Sequence, residues 1–143
     1  PNRCKTCDKC QHACPVGALE HPHVLDMQRC LSYQLQEEAL SPAARAAMGN
    51  RVADCEICQV ACPWNRKHIE RPLPTRLTRS FRKRIDAWER FFHLPTLTTL
   101  TETRYRETLG RLNTQIPYRY FRRNTRIAMA HAEEDRLTGE RPR

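Results

Sequence analysis

The chain has 143 residues, 39% of them hydrophobic, and a formal net charge of +9. Its mean hydropathy is −0.77, lean for a self-sufficient core at this length, so a bound inorganic staple is expected. No apolar run reaches membrane-spanning length and no secretory signal is visible, which sets aside a membrane span and an exported protein and favours a reducing, cytoplasmic setting.

All eight cysteines lie between Cys4 and Cys62, so residues 1–64 read as one cysteine-rich domain. Short helices are predicted over about 8–13, 26–36, 42–48 and 56–61, with two-residue strands flanking the cysteine runs. Ser41 before Pro42 is a start signal and Gly49 a stop signal. Residues 65–78 hold two prolines and little periodicity and read as a linker.

From 79 to 135 the pattern is helical, suiting a small HEAT-like segment. Phe81, Ile85, Trp88, Phe91 and Phe92 fall at helix spacing over Phe81–Leu94, with Pro95 as the stop. Thr99 with Glu102 has capping-box form over Thr99–Gly110. Pro117 opens a last helix to about Glu133, and 136–143 reads as a disordered tail. The fold class expected is therefore α+β, mostly α, with a two-cluster ferredoxin-like domain followed by helices.

The cysteine spacing carries chemistry. Cys4, Cys7, Cys10 and Cys14 follow C-x2-C-x2-C-x3-C, with Pro15 next, which is the bacterial ferredoxin run for a [4Fe–4S] cluster. In such a run three thiolates grip one cluster and the fourth reaches another. The second run, Cys55, Cys58 and Cys62 before Pro63, is one ligand short, because Val52 stands where the first cysteine belongs; Cys30 restores the count. Two sets of four follow: Cys4, Cys7, Cys10 and Cys62, then Cys14, Cys30, Cys55 and Cys58. Two zinc sites also use eight thiolates, but the x2-x2-x3-Pro spacing argues for iron–sulfur. All-cysteine clusters pass electrons and make no bonds, so this half reads as a wire.

The charge is segregated. Residues 1–70 hold eight Lys+Arg and eight Asp+Glu, whereas 71–143 hold seventeen and eight, which is the whole +9. Sixteen of the seventeen are Arg, whose planar fork suits phosphate. In the last helix Arg119, Arg122, Arg123 and Arg126 fall at i, i+3, i+4 and i+7, one face, opposite Phe121, Ile127 and Ala128. The stripe suits a nucleic-acid backbone; a solvated face, or one paired with the anionic cluster half, is the competing reading. Asn124, between the faces, is expected to pack or cap.

Arg29-Cys30-Leu31-Ser32-Tyr33, Gly49-Asn50-Arg51-Val52 and the run from Cys55 to Cys62-Pro63-Trp64-Asn65 together resemble the epoxyqueuosine reductase family. The likeness is dense over residues 1–65. It thins over 80–135, where Arg123-Asn124 and Ile127 to Ala130 are similar to the family's Arg-Asn and alanine-rich helix. Leu112 to Arg119 departs from the family's usual segment there. The resemblance implies a cobalamin, reduced through two [4Fe–4S] clusters, that removes the epoxide oxygen of epoxyqueuosine in tRNA to give queuosine. It also implies that the cobalamin domain and catalytic acid lie N-terminal to the cysteine runs, so this chain would be a piece of a longer enzyme, without its chemical centre and inactive alone. Implied partners are a tRNA anticodon stem-loop and an external low-potential electron donor, with the protein a monomer. Ser32 and Gln59, beside cluster ligands, are candidates to face the corrin.

Two further readings stay open on sequence. One is a corrinoid reductase of reductive-dehalogenase type, which leaves the Arg-rich half without a purpose. The other is a ferredoxin-like carrier with a basic docking surface.

Overall fold

The computed structural model describes residues 4–70, 83, 86, 89, 92–109 and 116–139. Eight helices are named here: α1 Lys9–Ala13, α2 Leu31–Gln34, α3 Pro42–Ala47, α4 Ile57–Ala61, α5 Pro63–Glu70, α6 Leu94–Thr99, α7 Glu102–Glu107 and α8 Tyr118–Thr138. Among the described residues there is no strand, so the expected α+β class is corrected to a helical one. An isolated antiparallel bridge, His21 to Val24, stands where a strand pair was expected. Pro22 and the left-handed His23 (φ 64°) turn the chain too tightly for that pairing to extend.

Local signals explain most helix ends. Ser41 caps α3 by accepting from the Ala44 amide at 3.1 Å, with Pro42 in the first turn. The helix expected over 26–36 is confined to α2, because the turn around Asp26–Arg29 closes first, with the Cys30 amide donating to Asp26 and Met27 carbonyls. Three other expectations are corrected. Pro95 does not stop a helix but sits in the first turn of α6, where its missing N–H costs nothing. Thr101, not Thr99, caps the next helix, accepting from the Arg104 amide at 3.3 Å. Residues 65–70, assigned to a linker, continue α5.

The long helix α8 also runs past its expected end, to Thr138, with left-handed Gly139 as its cap; residues 136–138 are therefore helical rather than tail. Lys83, Asp86 and Glu89 are helical and exposed, whereas Phe92, predicted in the same helix, is exposed and not helical; the remaining apolar positions predicted there, Phe81, Ile85, Trp88 and Phe91, lie outside the described residues.

Two small cores meet along α8. One gathers Leu97, Leu100, Tyr105, Leu109, Ile116 and Phe121. Tyr105 donates its hydroxyl to the Ile116 carbonyl at 2.7 Å, and Tyr118 donates to Leu100 at 2.6 Å, so the buried Tyr105 ring and the half-buried Tyr118 ring both have their polar tips satisfied. The other core joins Leu31, Leu35, Ala44 and Met48 from the cysteine half to Ile127 and Ala128 of α8. Val52 and Leu94 touch both cores.

Between the cores lies Asn124, fully buried. Its Nδ2 donates to the carbonyls of Leu35 and Val52, each at 2.8 Å. Its Oδ1 accepts from Arg123 Nε at 3.0 Å. One amide thus satisfies two buried carbonyls of the cysteine half, and it packs as expected. Replacing it by Asp would aim a carboxylate at two acceptors. Asn124→Asp is expected to destabilise the cluster-loaded protein by ~3 kcal/mol or more, read as a lowered midpoint in urea unfolding, whereas Arg122→Ala on the exposed side should leave that midpoint within about 0.5 kcal/mol.

Candidate metal centre and basic face

Helices α1 and α4 are two copies of one device. Each ends in Gln-x-Ala-Cys-Pro, and the two helices pack together. Cys14 and Cys62 are their C-caps, with nearly the same backbone (φ −69°, ψ 113° and φ −70°, ψ 120°). The following proline forbids the helical conformation to both. Each cysteine amide turns back to the glutamine carbonyl, Gln11 at 3.2 Å and Gln59 at 3.3 Å. The last thiol of each run therefore leaves its own loop.

The structure shows where one of them goes. Cys14 lines a cavity of about 220 Å³ together with Cys30, Cys55 and Cys58, the four residues grouped by counting thiols. Ala18, Leu19, Leu25 and Ile57 supply apolar wall. Cys30 arrives as the N-cap of α2, whose Leu31 is anchored in the core shared with α8. Gly17, at φ +61°, makes the return after Cys14 possible, and the next amide, Ala18, donates to Cys14 Sγ at 3.2 Å.

Burial pushes the Cys58 thiol up; Cys55 pushes it further, Gln59 partly offsets this, and Cys14 and Cys30 add to the rise. Cys58 thus feels the other three sulfurs. Among the described residues, no three Cys, His, Asp or Glu side chains close on a single ion; these thiols ring a void instead. Four thiolates in one cavity repel unless a cationic body stands between them. Four thiols around one cavity are the donor set of a [4Fe–4S] cluster, and the x2-x2-x3-Pro spacing is what favours it over zinc.

Cys4, Cys7 and Cys10 line a second cavity, also about 220 Å³, beside His21 and His23. Cys4 and Cys7 are exposed. Cys62, grouped with them on sequence, is not in this lining; it sits at the α4–α5 junction, on the helix packed against α1.

Ser32 and Gln59 both face the first cavity, and both are engaged. Ser32 donates to Asp54 at 3.1 Å, and Gln59 Oε1 accepts from Asn65 Nδ2 at 2.7 Å. Asp54 carries no sequence signal beyond its place one residue before Cys55, and Asn65 enters on sequence only as the end of the Cys-Pro-Trp-Asn segment.

On α8, Arg119, Arg122 and Arg126 are exposed. Arg123 is not their equal. Its guanidinium donates to the carbonyls of Glu37 and Glu38, each at 2.7 Å, and to Leu35 and Gln34 at 3.3 and 3.4 Å. Burial lowers its pKa. Arg123 is a clamp on the cysteine half, which corrects its place in the phosphate-facing stripe. Tyr120 lies between Arg119 and Arg123, whose guanidiniums are 4.6 and 5.1 Å from its ring centre.

Residues 3–65 match the family model described as a 4Fe-4S double cluster binding domain. Over a longer span that includes this module, the chain is 33% identical over 132 residues to an epoxyqueuosine reductase of Shewanella oneidensis, covering 90% of this chain and 32% of that one. The chain belongs to the epoxyqueuosine reductase family. The Escherichia coli epoxyqueuosine reductase is 43% identical over 65 residues, 44% of this chain and 17% of its own. The Bacillus subtilis epoxyqueuosine reductase, solved with its catalytic loop swung out of the active site, superposes with a TM-score of 0.68 at 26% identity, over 92% of this chain and 34% of that one. A family structure holding an epoxyqueuosine-modified tRNA stem loop gives 0.65 at 28%, over 90% and 33%. The chain spans about a fifth to a third of the length of these epoxyqueuosine reductases.

If the first cavity holds a cluster, Cys30→Ala opens its ligand set. Iron and sulfide per chain should fall by roughly half, with the paramagnetic signal of the reduced protein simplified to one species. Unchanged iron would remove Cys30 from the ligands.

Proposed function

We propose that this chain is the electron-transfer and tRNA-holding portion of an epoxyqueuosine reductase, the oxidoreductase that converts epoxyqueuosine in tRNA to queuosine. The observation that carries the reading is the convergence of Cys14, from the first run, with Cys30, Cys55 and Cys58 around one cavity. A plain single-run site has no use for that crossing. Family membership supplies the reaction, and the family structure with a tRNA stem loop supports the partner.

In this reading two [4Fe–4S] clusters, when bound, relay single electrons from an external low-potential donor toward a cobalamin. Cys14, Cys30, Cys55 and Cys58 hold one, and Cys4, Cys7 and Cys10 with Cys62 hold the other. The apolar side chains lining the first cavity would limit water at its thiolates, and the Ala18 N–H compensates charge on Cys14 Sγ. Ser32 and Gln59, which line that cavity and are fixed by Asp54 and Asn65, would be the side chains to meet the corrin. The cobalamin itself and the catalytic acid belong to sequence outside this chain, which alone is inactive.

The ferredoxin-like module spans 1–64, and the helices that follow act as a HEAT-like platform. Arg119, Arg122 and Arg126 offer three forked cations to the phosphates of an anticodon stem-loop, and Tyr120 offers a ring edge beside them. Arg123, spent on backbone carbonyls, holds the platform to the module. The setting is the cytoplasm and the protein a monomer.

The test is binding of an anticodon stem-loop RNA to the cluster-loaded protein over a range of salt. Arg119→Ala, Arg122→Ala and Arg126→Ala should each weaken binding and flatten the log Kd against log salt slope by about 0.7–0.9. Arg123→Ala should instead lower stability by about 1–3 kcal/mol through its orphaned carbonyls. Affinity indifferent to salt and to all three exposed arginines would end the tRNA reading.

A further inference from the structure

We propose that Arg29 sets the reduction potential of the cluster held by Cys14, Cys30, Cys55 and Cys58, and that Glu20 is the counter-charge that trims it. The proposal rests on the cluster reading above and goes beyond it, because Arg29 is no ligand and touches no substrate.

The placement is built rather than incidental. Arg29 immediately precedes Cys30, and its guanidinium lies on Gly17, in the turn that follows Cys14. A Cβ at Gly17 would stand 2.7 Å from Arg29 Nη2, so the absent side chain is the seat of the guanidinium. The residue after Gly17 is Ala18, whose amide donates to Cys14 Sγ at 3.2 Å. Arg29 is thus packed on the same turn that donates to one ligand sulfur and is one peptide bond from another ligand.

Its own position is held from both ends. The Arg29 amide donates to Asp26 Oδ1 at 3.3 Å, and the Arg29 carbonyl accepts from Gln34 Nε2 at 3.1 Å. Asp26 is tied in turn to the Ala18 carbonyl through its own amide at 2.8 Å. The guanidinium ends in an ion pair with Glu20. A guanidinium stays protonated in proteins, so the cation is permanent.

The couple is simple. The oxidised cluster accepts one electron from a low-potential titrant, no bond forms or breaks, and the site gains one negative charge. A fixed cation beside the ligands favours that more negative state and raises the potential, one of the levers by which proteins place such clusters over a wide range. Glu20 opposes it.

The test is a potentiometric titration of the cluster-loaded protein with dithionite and viologen mediators, followed by electron paramagnetic resonance. Arg29→Gln should lower one of the two midpoints, with the ratio of reduced to oxidised cluster at a fixed potential falling about tenfold, ~59 mV for a one-electron couple. Glu20→Gln should move the same midpoint upward, and Arg29→Lys should restore most of the drop. Arg106→Gln, on a helix that carries no thiol, should move neither. Arg29→Gln with full iron and unmoved midpoints would overturn the proposal, as would Glu20→Gln moving the midpoint down. If Arg29→Gln fails to load its cluster, Arg29→Lys and Glu20→Gln still decide by the same signs. No cluster signal in the unsubstituted protein would instead overturn the cluster reading, and the proposal with it.

Discussion

A proline after a cysteine governs this molecule. Pro15 and Pro63 deny Cys14 and Cys62 the helical conformation, so each run ends with a thiol swung away from its own loop. For Cys14 the destination is visible: the cavity built by Cys30, Cys55 and Cys58. The thiols from 14 to 58 can share one site only because the chain between them is folded back, and that return depends on α2, α3 and their packing on α8. A local backbone rule therefore needs a distant helix to become a site.

Electrostatics divides the arginines into kinds that a net charge of +9 conceals. Arg119, Arg122 and Arg126 face solvent. Arg123 is consumed by four carbonyls of the cysteine half, a use that exploits its five donors rather than its charge. Arg29 serves neither purpose; it is lodged over Gly17, in the turn that follows Cys14. The same side chain stands as a solvent-facing cation, a structural fork or a guanidinium packed on a turn, according to what lies within reach.

Thiol counting on sequence groups Cys14 with Cys30, Cys55 and Cys58, which line one cavity, but it also groups Cys62 with Cys4, Cys7 and Cys10, whose cavity Cys62 does not line. Helix existence was legible from periodicity, and α3 from Ser41 and Pro42. What failed failed for identifiable reasons. Thr99 and Thr101 both offer a capping hydroxyl, and only the fold decides that Thr101 meets the Arg104 amide. Pro95 signals a stop or a start equally well. Helical spacing put Arg123 on the face of Arg119 and Arg126, but spacing says which residues share a face and not what meets that face. The carbonyls of Glu37 and Glu38 that claim Arg123 are more than eighty positions away. Asn124 was expected to pack, yet its two partners, Leu35 and Val52, are backbone groups with no sequence signature.

The Asn124 amide has a consequence for how such a protein is rearranged. Cysteine modules are commonly thought of as cassettes, portable between chains. This one carries two buried carbonyls, at Leu35 and Val52, that are completed by a helix seventy or more residues downstream. Cut at the seam after α5, the module would carry off its thiols but leave behind the donor that closes its interior. A transplanted copy would need a new host helix presenting an amide at that one position. The boundary that composition draws across this chain is thus not a line along which it can be divided.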